Sequence, residues 1–119
     1  MYSVLVIDDE RMIRDMLQQA LSRIDFTVET AKDASGGIEK FETGFYDLVI
    51  TDICMPGEDG HRVLHHIRKS KRQKTPVIGV SGTPFLLQQG EFDDVLPKPF
   101  ALQALIEKAQ FLTRQKQRN

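Results

Sequence analysis

Hydrophobic residues fall into short unbroken runs, separated by stretches where they recur every three or four positions. Val4-Leu5-Val6-Ile7, Leu48-Val49-Ile50 and Val77-Ile78-Gly79-Val80 are continuous runs ended by a polar or charged residue, the pattern of strands buried on both faces of a parallel sheet. After the first run, Ile13, Met16, Leu17, Ala20, Leu21 and Ile24 mark an amphipathic helix. Phe26, Val28 and Thr30 alternate with polar residues, as in a strand open on one side. Ala34, Ile38 and Phe41 give a weaker helical stripe, interrupted by Gly36-Gly37. Glycine in a helix interior costs about 1 kcal/mol against alanine. The third strand is predicted over Asp47 to Asp52. Pro56-Gly57 and Asp59-Gly60 mark a loop, with Asp59 as N-cap of a helix carrying Val63, Leu64 and Ile67.

A basic stretch from Arg68 to Lys74 leads into the fourth strand. A short helix is predicted near Phe85 to Gln89, closed by Gly90, and a brief fifth strand near Asp94 to Leu96. The last helix is expected to start at Pro99 and to carry Leu102, Leu105, Ile106, Ala109 and Leu112. The stretch from Thr113 to Asn119 reads as a polar, frayed tail. Five alternations of strand and helix imply an α/β fold, a doubly wound parallel sheet with helices on both faces. The continuously apolar strands one, three and four belong at the centre and strands two and five at the edges. That fits the flavodoxin-like (βα)5 order 2-1-3-4-5, here with a shortened fourth helix. Residues 1–119 then form one domain.

Chemistry collects where the strands end. The first strand breaks off at Asp8-Asp9, the third at Asp52, the fourth at Ser81, and the fifth runs through Pro97 to Lys98-Pro99. In an open α/β sheet these positions share the carboxyl rim. Three carboxylates at one rim repel one another, a cluster that makes sense around a hard divalent cation such as Mg²⁺. A lone Asp9 would read as a helix cap, a lone Ser81 as a turn hydroxyl and a lone Lys98 as solvated. Their combination favours a functional site.

Composition narrows the class. Apolar residues make up 40% and charged residues 28% of the chain, and the formal net charge is −1, so no global field points to nucleic acid or an anionic membrane. No apolar stretch has the length of a bilayer span, and the first strand starts too near Met1 to leave room for a signal peptide. A single cysteine, Cys54, excludes an internal disulfide framework. A reduced, cytoplasmic setting is expected. The Cys54 thiol lies near carboxylates that blunt it as a redox group. His61 and His65 lack a third metal ligand and read as exposed side chains. Arg68, Lys69, Lys71, Arg72 and Lys74 lack interleaved aromatics and read as a solvated loop.

The segments Ile7-Asp8-Asp9-Glu10, Asp52-Ile53-Cys54-Met55-Pro56-Gly57-Glu58-Asp59-Gly60, Ser81-Gly82 and Lys98-Pro99-Phe100, in this order and at strand ends, resemble the receiver domain of two-component response regulators from Ser3 to about Leu112. The resemblance implies that Asp52 accepts a phosphoryl group and that Asp8, Asp9, Asp52 and the Cys54 carbonyl hold Mg²⁺. It implies that Ser81 and Lys98 contact the phosphoryl group, and that the Lys98–Pro99 peptide is cis. Such a domain is a signalling switch that assists its own phosphorylation and dephosphorylation rather than an enzyme acting on others. Its implied partners are a sensor histidine kinase or histidine phosphotransfer protein, and a downstream protein target or an output domain outside this chain. Two departures are visible: the aromatic that the family places three residues before the lysine is Val95 here, with Phe92 nearby but out of position, and the stretch between Ser81 and Lys98 is several residues shorter than usual for the family. The rival readings are a receiver-like interaction module that works without phosphorylation, a phosphatase with an aspartyl intermediate, and a flavodoxin-like cofactor binder. The phosphatase would carry Asp-x-Asp after the first strand. The cofactor binder would want a phosphate-cradling loop where Asp8-Asp9-Glu10 stands.

Overall fold

The computed structural model describes residues 1–55, 58–82 and 92–118; of residues 58–59 and 115–118 only the backbone is described. In chain order the elements are β1 (Tyr2–Ile7), α1 (Arg11–Ser22), β2 (Phe26–Ala31), α2 (Ala34–Thr43), β3 (Leu48–Asp52), β4 (Cys54–Met55), β5 (Glu58–Asp59), α3 (Gly60–Arg68), β6 (Val77–Ser81), β7 (Asp94–Pro97) and α4 (Leu102–Arg118). The main sheet has the order β2-β1-β3-β6-β7, all parallel. Counting only its own strands, this is the 2-1-3-4-5 order expected from the sequence. Of the three apolar runs inside the sheet, β3 and β6 are buried at every residue and β1 from Val4 to Ile7. At the edges β2 alternates buried and exposed positions, and β7 is only partly covered.

Alternation along the strands splits the core in two. Val4 and Val6, with Leu48, Ile50, Ile78 and Val80, face Leu17 and Leu21 of α1 and Leu105, Ala109 and Leu112 of α4. Leu5 and Ile7, with Val49 and Val77, face Ala34 and Phe41 of α2 and Val63, Leu64 and Ile67 of α3. Each large side chain fully removed from water contributes about 1.5–3 kcal/mol, so both faces of the sheet are held. Gly37 shows why α2 tolerates a poor helix former. A Cβ there would lie 2.3 Å from Ile7 Cδ1, so its absence lets the helix lie close on β1. Asp33 caps α2, its carboxylate accepting from Gly36 N–H at 2.7 Å.

Several local expectations change. The Cys54–Met55 and Glu58–Asp59 pair is antiparallel, a small hairpin where the sequence suggests only a loop. Asp59 precedes α3, as a cap would, though its side chain lies outside the described residues. α4 begins at Leu102, where the Ala101 carbonyl accepts from the N–H groups of Ala104 and Leu105, and Phe100 packs onto the core instead of joining the helix. The polar stretch after Leu112 does not fray at once: α4 continues to Arg118. Thr113 is buried, with its hydroxyl donating to the Ala109 carbonyl at 2.8 Å. That bond back to the preceding turn lets a polar residue sit inside a helix. The predicted helix near 85–89 with its closing Gly90, and so the shortened fourth helix, lies outside the described residues, as do Pro56 and Gly57.

The basic stretch is not a freely solvated loop. Arg72 donates to the carbonyls of Phe41 and Gly44, and its guanidinium lies 4.5 Å over the Phe41 ring. Arg68 donates to the Thr75 and Gln73 carbonyls and pairs with Asp93 at 2.7 Å. His61 is half-buried against Phe92, ring centroids 5.5 Å apart, while His65 is exposed as expected. Among the described residues no helix is long and apolar enough to cross a membrane.

Candidate functional site

Strand register brings the acidic groups level. Ile7 pairs with Thr51 across β1 and β3, so Asp8 and Asp52 are the next residues of adjacent strands. Asp8 N–H still donates to the Ala31 carbonyl, which holds it in the plane of the sheet. Its carboxylate accepts from Glu10 N–H at 2.8 Å, and its carbonyl accepts from the Arg14 guanidinium at 2.8 Å. These bonds fix the turn into α1. Helix α1 takes Glu10 as its N-cap with no side-chain cap bond, so Asp9 is not spent on capping.

On the other side of the rim Ser81 pairs with Pro97, and Lys98 N–H donates to the Ser81 carbonyl at 2.9 Å. The Lys98–Pro99 peptide is cis. The lysine side chain, 15% exposed, places Nζ 3.0 Å from Asp8 Oδ2, 3.0 Å from Glu10 Oε1 and 3.2 Å from Asp52 Oδ2. The other Asp52 oxygen accepts from Cys54 N–H at 3.3 Å. Asp8, Asp52 and Ser81 are buried; Asp9, Glu10 and the Cys54 thiol are exposed. An open cleft above the rim is lined by Asp9, Glu10, Asp52, Cys54, Met55, Gly82 and Lys98.

Two close approaches build the floor. Gly60 N–H donates to the Ile53 carbonyl at 2.7 Å, and Ile53 N–H to the Val80 carbonyl at 2.8 Å. A Cβ on Gly60 would lie 2.5 Å from the Asp52 carbonyl oxygen, so only glycine lets α3 start against the end of β3. Phe92, the aromatic nearest Val95 in sequence, is buried beside Gly79 and His61. It serves the core, and Val95 packs at the edge of the same cluster.

Electrostatics follow from burial. Burial pushes the Asp8 carboxyl up, only partly offset by the Glu10 N–H and Lys98. Burial likewise pushes Asp52 up to about 6, with the Lys98 charge opposing and the Asp8 charge reinforcing the shift. Burial alone would lower Lys98, but its bonds to Asp8 and Glu10 and the charges of Asp8 and Asp52 raise it instead. The site thus gathers the carboxylates of Asp8, Glu10 and Asp52 around one ammonium, with Asp9 beside Asp8 and Glu10.

All the residues marked by the sequence reading, Asp8, Asp9, Asp52, Cys54, Ser81 and Lys98, meet at this rim. Glu10 is the one that reading passed over as a site residue. Its signal was present in the unbroken Asp-Asp-Glu run, but reach from there to Lys98 is a property of the fold.

These features define a receiver domain, and comparison with known proteins agrees. The family model described as the response regulator receiver domain matches residues 4–110, and the chain belongs to that family. Response regulator MprA of Mycobacterium ulcerans is 32% identical over 116 residues, covering 93% of this chain and 50% of that protein. Transcriptional regulatory protein ResD of Bacillus subtilis is 32% identical over 114 residues, covering 93% and 48%. The chain therefore spans about half the length of these curated relatives. Among solved structures, response regulator TrrA from Thermotoga maritima, in complex with Mg²⁺-BeF, superposes with a TM-score of 0.86 at 34% identity, covering 94% of this chain and 99% of that one. Chemotaxis protein CheY4 of Vibrio cholerae gives 0.86 at 29% identity, covering 94% and 98%. The protein is thus a signalling switch of the two-component kind.

Proposed function

We propose that residues 1–119 act as one receiver unit in the cytoplasm, taking a phosphoryl group onto Asp52 from a phosphohistidine on a sensor kinase or phosphotransfer protein. The observation that carries this reading is the Asp52 carboxylate. It is buried at the end of β3 and held by Lys98 Nζ and Cys54 N–H, beside the acidic end of β1. An Asp52 oxygen attacks phosphorus, an acyl-phosphate bond forms, the phosphorus–nitrogen bond to the histidine breaks, and the imidazole leaves with a proton from solvent. Negative charge spreads over three phosphoryl oxygens in the transition state, so the protein's work is positioning and neutralisation. Lys98 neutralises one oxygen, and the Ser81 hydroxyl donates a hydrogen bond to another. The Ser81 contact exists only with the phosphoryl group present, which is what lets it bias a conformational equilibrium. The switched surface then acts on a downstream protein or on an output domain outside this chain.

The donor set fits Mg²⁺. It offers hard oxygens alone, and the ligand atoms of Asp8, Asp9 and Glu10 lie within 4.8 Å of one another. Asp8, Asp9, Asp52 and the Cys54 carbonyl would hold the ion. Bound there, Mg²⁺ supplies positive charge to the phosphoryl oxygens. The same rim assists both gain and loss of the phosphoryl group. Intact mass after a small phosphodonor tests the reading: a single added phosphoryl group is expected with Mg²⁺ and none with a chelator, and Asp9→Ala should suppress the gain. An unmodified mass under both conditions would favour the phosphorylation-independent interaction module.

Lys98 stands in the metal's way. Lys98→Ala removes the ammonium bound to Asp8, Glu10 and Asp52 and leaves their repulsion for the metal to relieve. Mg²⁺ should bind about three- to tenfold more tightly, and the gain in melting temperature on adding Mg²⁺ should exceed that of the wild type. Titration calorimetry checks the first and thermal unfolding the second. Weaker Mg²⁺ binding would remove Lys98 from this role.

A further inference from the structure

We propose that Glu10 is a positioning residue, holding the Lys98 ammonium at the rim so that a divalent cation can take Asp8 and Asp52 without leaving the lysine unpaired. The inference rests on the Mg²⁺ reading of the site. Lys98 has three donors, and its ammonium lies 3.0 Å from Asp8, 3.0 Å from Glu10 and 3.2 Å from Asp52. The side chains of Asp8 and Asp52 are 5% and 6% exposed, while that of Glu10 is 58% exposed. The buried pair alone would balance the lysine charge, so Glu10 is not needed to satisfy it.

Nor does Glu10 serve the helix it begins. It occupies the N-cap of α1 without a side-chain cap bond, and its carboxylate goes to Lys98 across the cleft instead. A cation held by Asp8 and Asp52 competes with Lys98 for the charge of both carboxylates, whose Oδ2 atoms the ammonium holds. With Glu10 present the ammonium keeps one partner through that competition and stays close to where the phosphoryl oxygens arrive. In the Glu10→Gln variant the ammonium either stays on the buried pair and opposes the metal or moves into solvent.

A double-mutant cycle separates this from a direct attraction of Glu10 for the metal. The measurement is Mg²⁺ affinity by titration of the intact chain, for wild type, Glu10→Gln, Lys98→Met and the double variant, with no phosphodonor present. Glu10→Gln should weaken binding about two- to fivefold in the Lys98 protein. The same change should cost less than about half that factor on the Lys98→Met background. In parallel, the ¹⁵Nζ signal of Lys98 in metal-free protein should shift or broaden in Glu10→Gln, which a role confined to folding α1 would not cause. An equal loss of affinity in both backgrounds, or none in either, would overturn the assignment while leaving the metal site standing. Failure of every variant to bind Mg²⁺ would overturn the parent reading, and this one with it.

Discussion

Asp52→Asn is expected to gain no phosphoryl group from a small phosphodonor in the presence of Mg²⁺, under conditions where the wild type gains one, and to be the more stable protein at neutral pH without metal. The first result follows from losing the nucleophilic carboxylate, because among the described residues no other acid at the rim is both buried and held by the Cys54 N–H. Intact mass settles it, and a retained gain would move the acceptor elsewhere. The second follows from linkage. Burial, against the Lys98 charge, raises the Asp52 carboxyl from 3.8 to about 6. The folded protein therefore binds this proton more tightly than the unfolded chain. Below about 4 both states carry the proton and no penalty exists. As pH rises through about 6 the folded state must hold the charge, at a cost on the order of 2–3 kcal/mol. Asparagine removes that cost but also one partner of Lys98, so a net gain of about 1–2 kcal/mol is expected at pH 7. Urea unfolding should show the gap closing toward about pH 4. Equal stability at neutral pH would mean that the Asp52 charge is already fully compensated.

Gly60→Ala should do the greatest damage of any single methyl group added at the site. Its Cβ would lie 2.5 Å from the Asp52 carbonyl oxygen and 2.9 Å from Ile53 Cα. Both are backbone atoms, and the Ile53 amide and carbonyl are already engaged with Val80 and Gly60, so neither can step aside cheaply. A loss of about 2–4 kcal/mol is expected, with phosphorylation slowed even in the fraction that folds, since β3 must yield at the acceptor. Gly82→Ala is the control. Among the described residues its Cβ would meet only Lys98 Cβ, at 3.9 Å, and its effect should stay within about 0.5 kcal/mol. Chemical unfolding and phosphorylation rates measured on the two variants decide the matter. A Gly60→Ala protein as stable as Gly82→Ala would show that α3 can shift without cost.

The strands and the rim were legible because each rests on a local signal. A run such as Val4 to Ile7 is continuous because both faces of β1 are covered, and the acid that ends it marks where cover stops. The helical stripe of α1 was readable for the same reason. What failed to show in the sequence depends on distant partners. Arg72 reads as a solvated charge until the Phe41 ring and the carbonyls of Phe41 and Gly44 come within reach. Gly37 reads as a helix weakness until Ile7 occupies the space its side chain would need. Thr113 begins a polar tail in sequence and is a buried residue in the fold. Pro99 has the look of a first-turn residue, yet α4 waits until Leu102 because Phe100 has its own place in the core. Glu10 belongs with these: its charge was visible, and its partner lies 88 residues away.

The arginine clasp at the far end of the sheet has a consequence for signal direction. Arg72 and Arg68 tie the α3–β6 connection to backbone carbonyls of Phe41, Gly44, Gln73 and Thr75, and to Asp93 ahead of β7. The acceptors of this clasp are mostly backbone carbonyls, which stay where the chain holds them. The sheet is thus held at both ends, by the arginines at its base and by Lys98 across the rim that carries Asp52. A change at Asp52 reaches Ser81 through Lys98, which bonds the Asp52 carboxylate with its ammonium and the Ser81 carbonyl with its N–H.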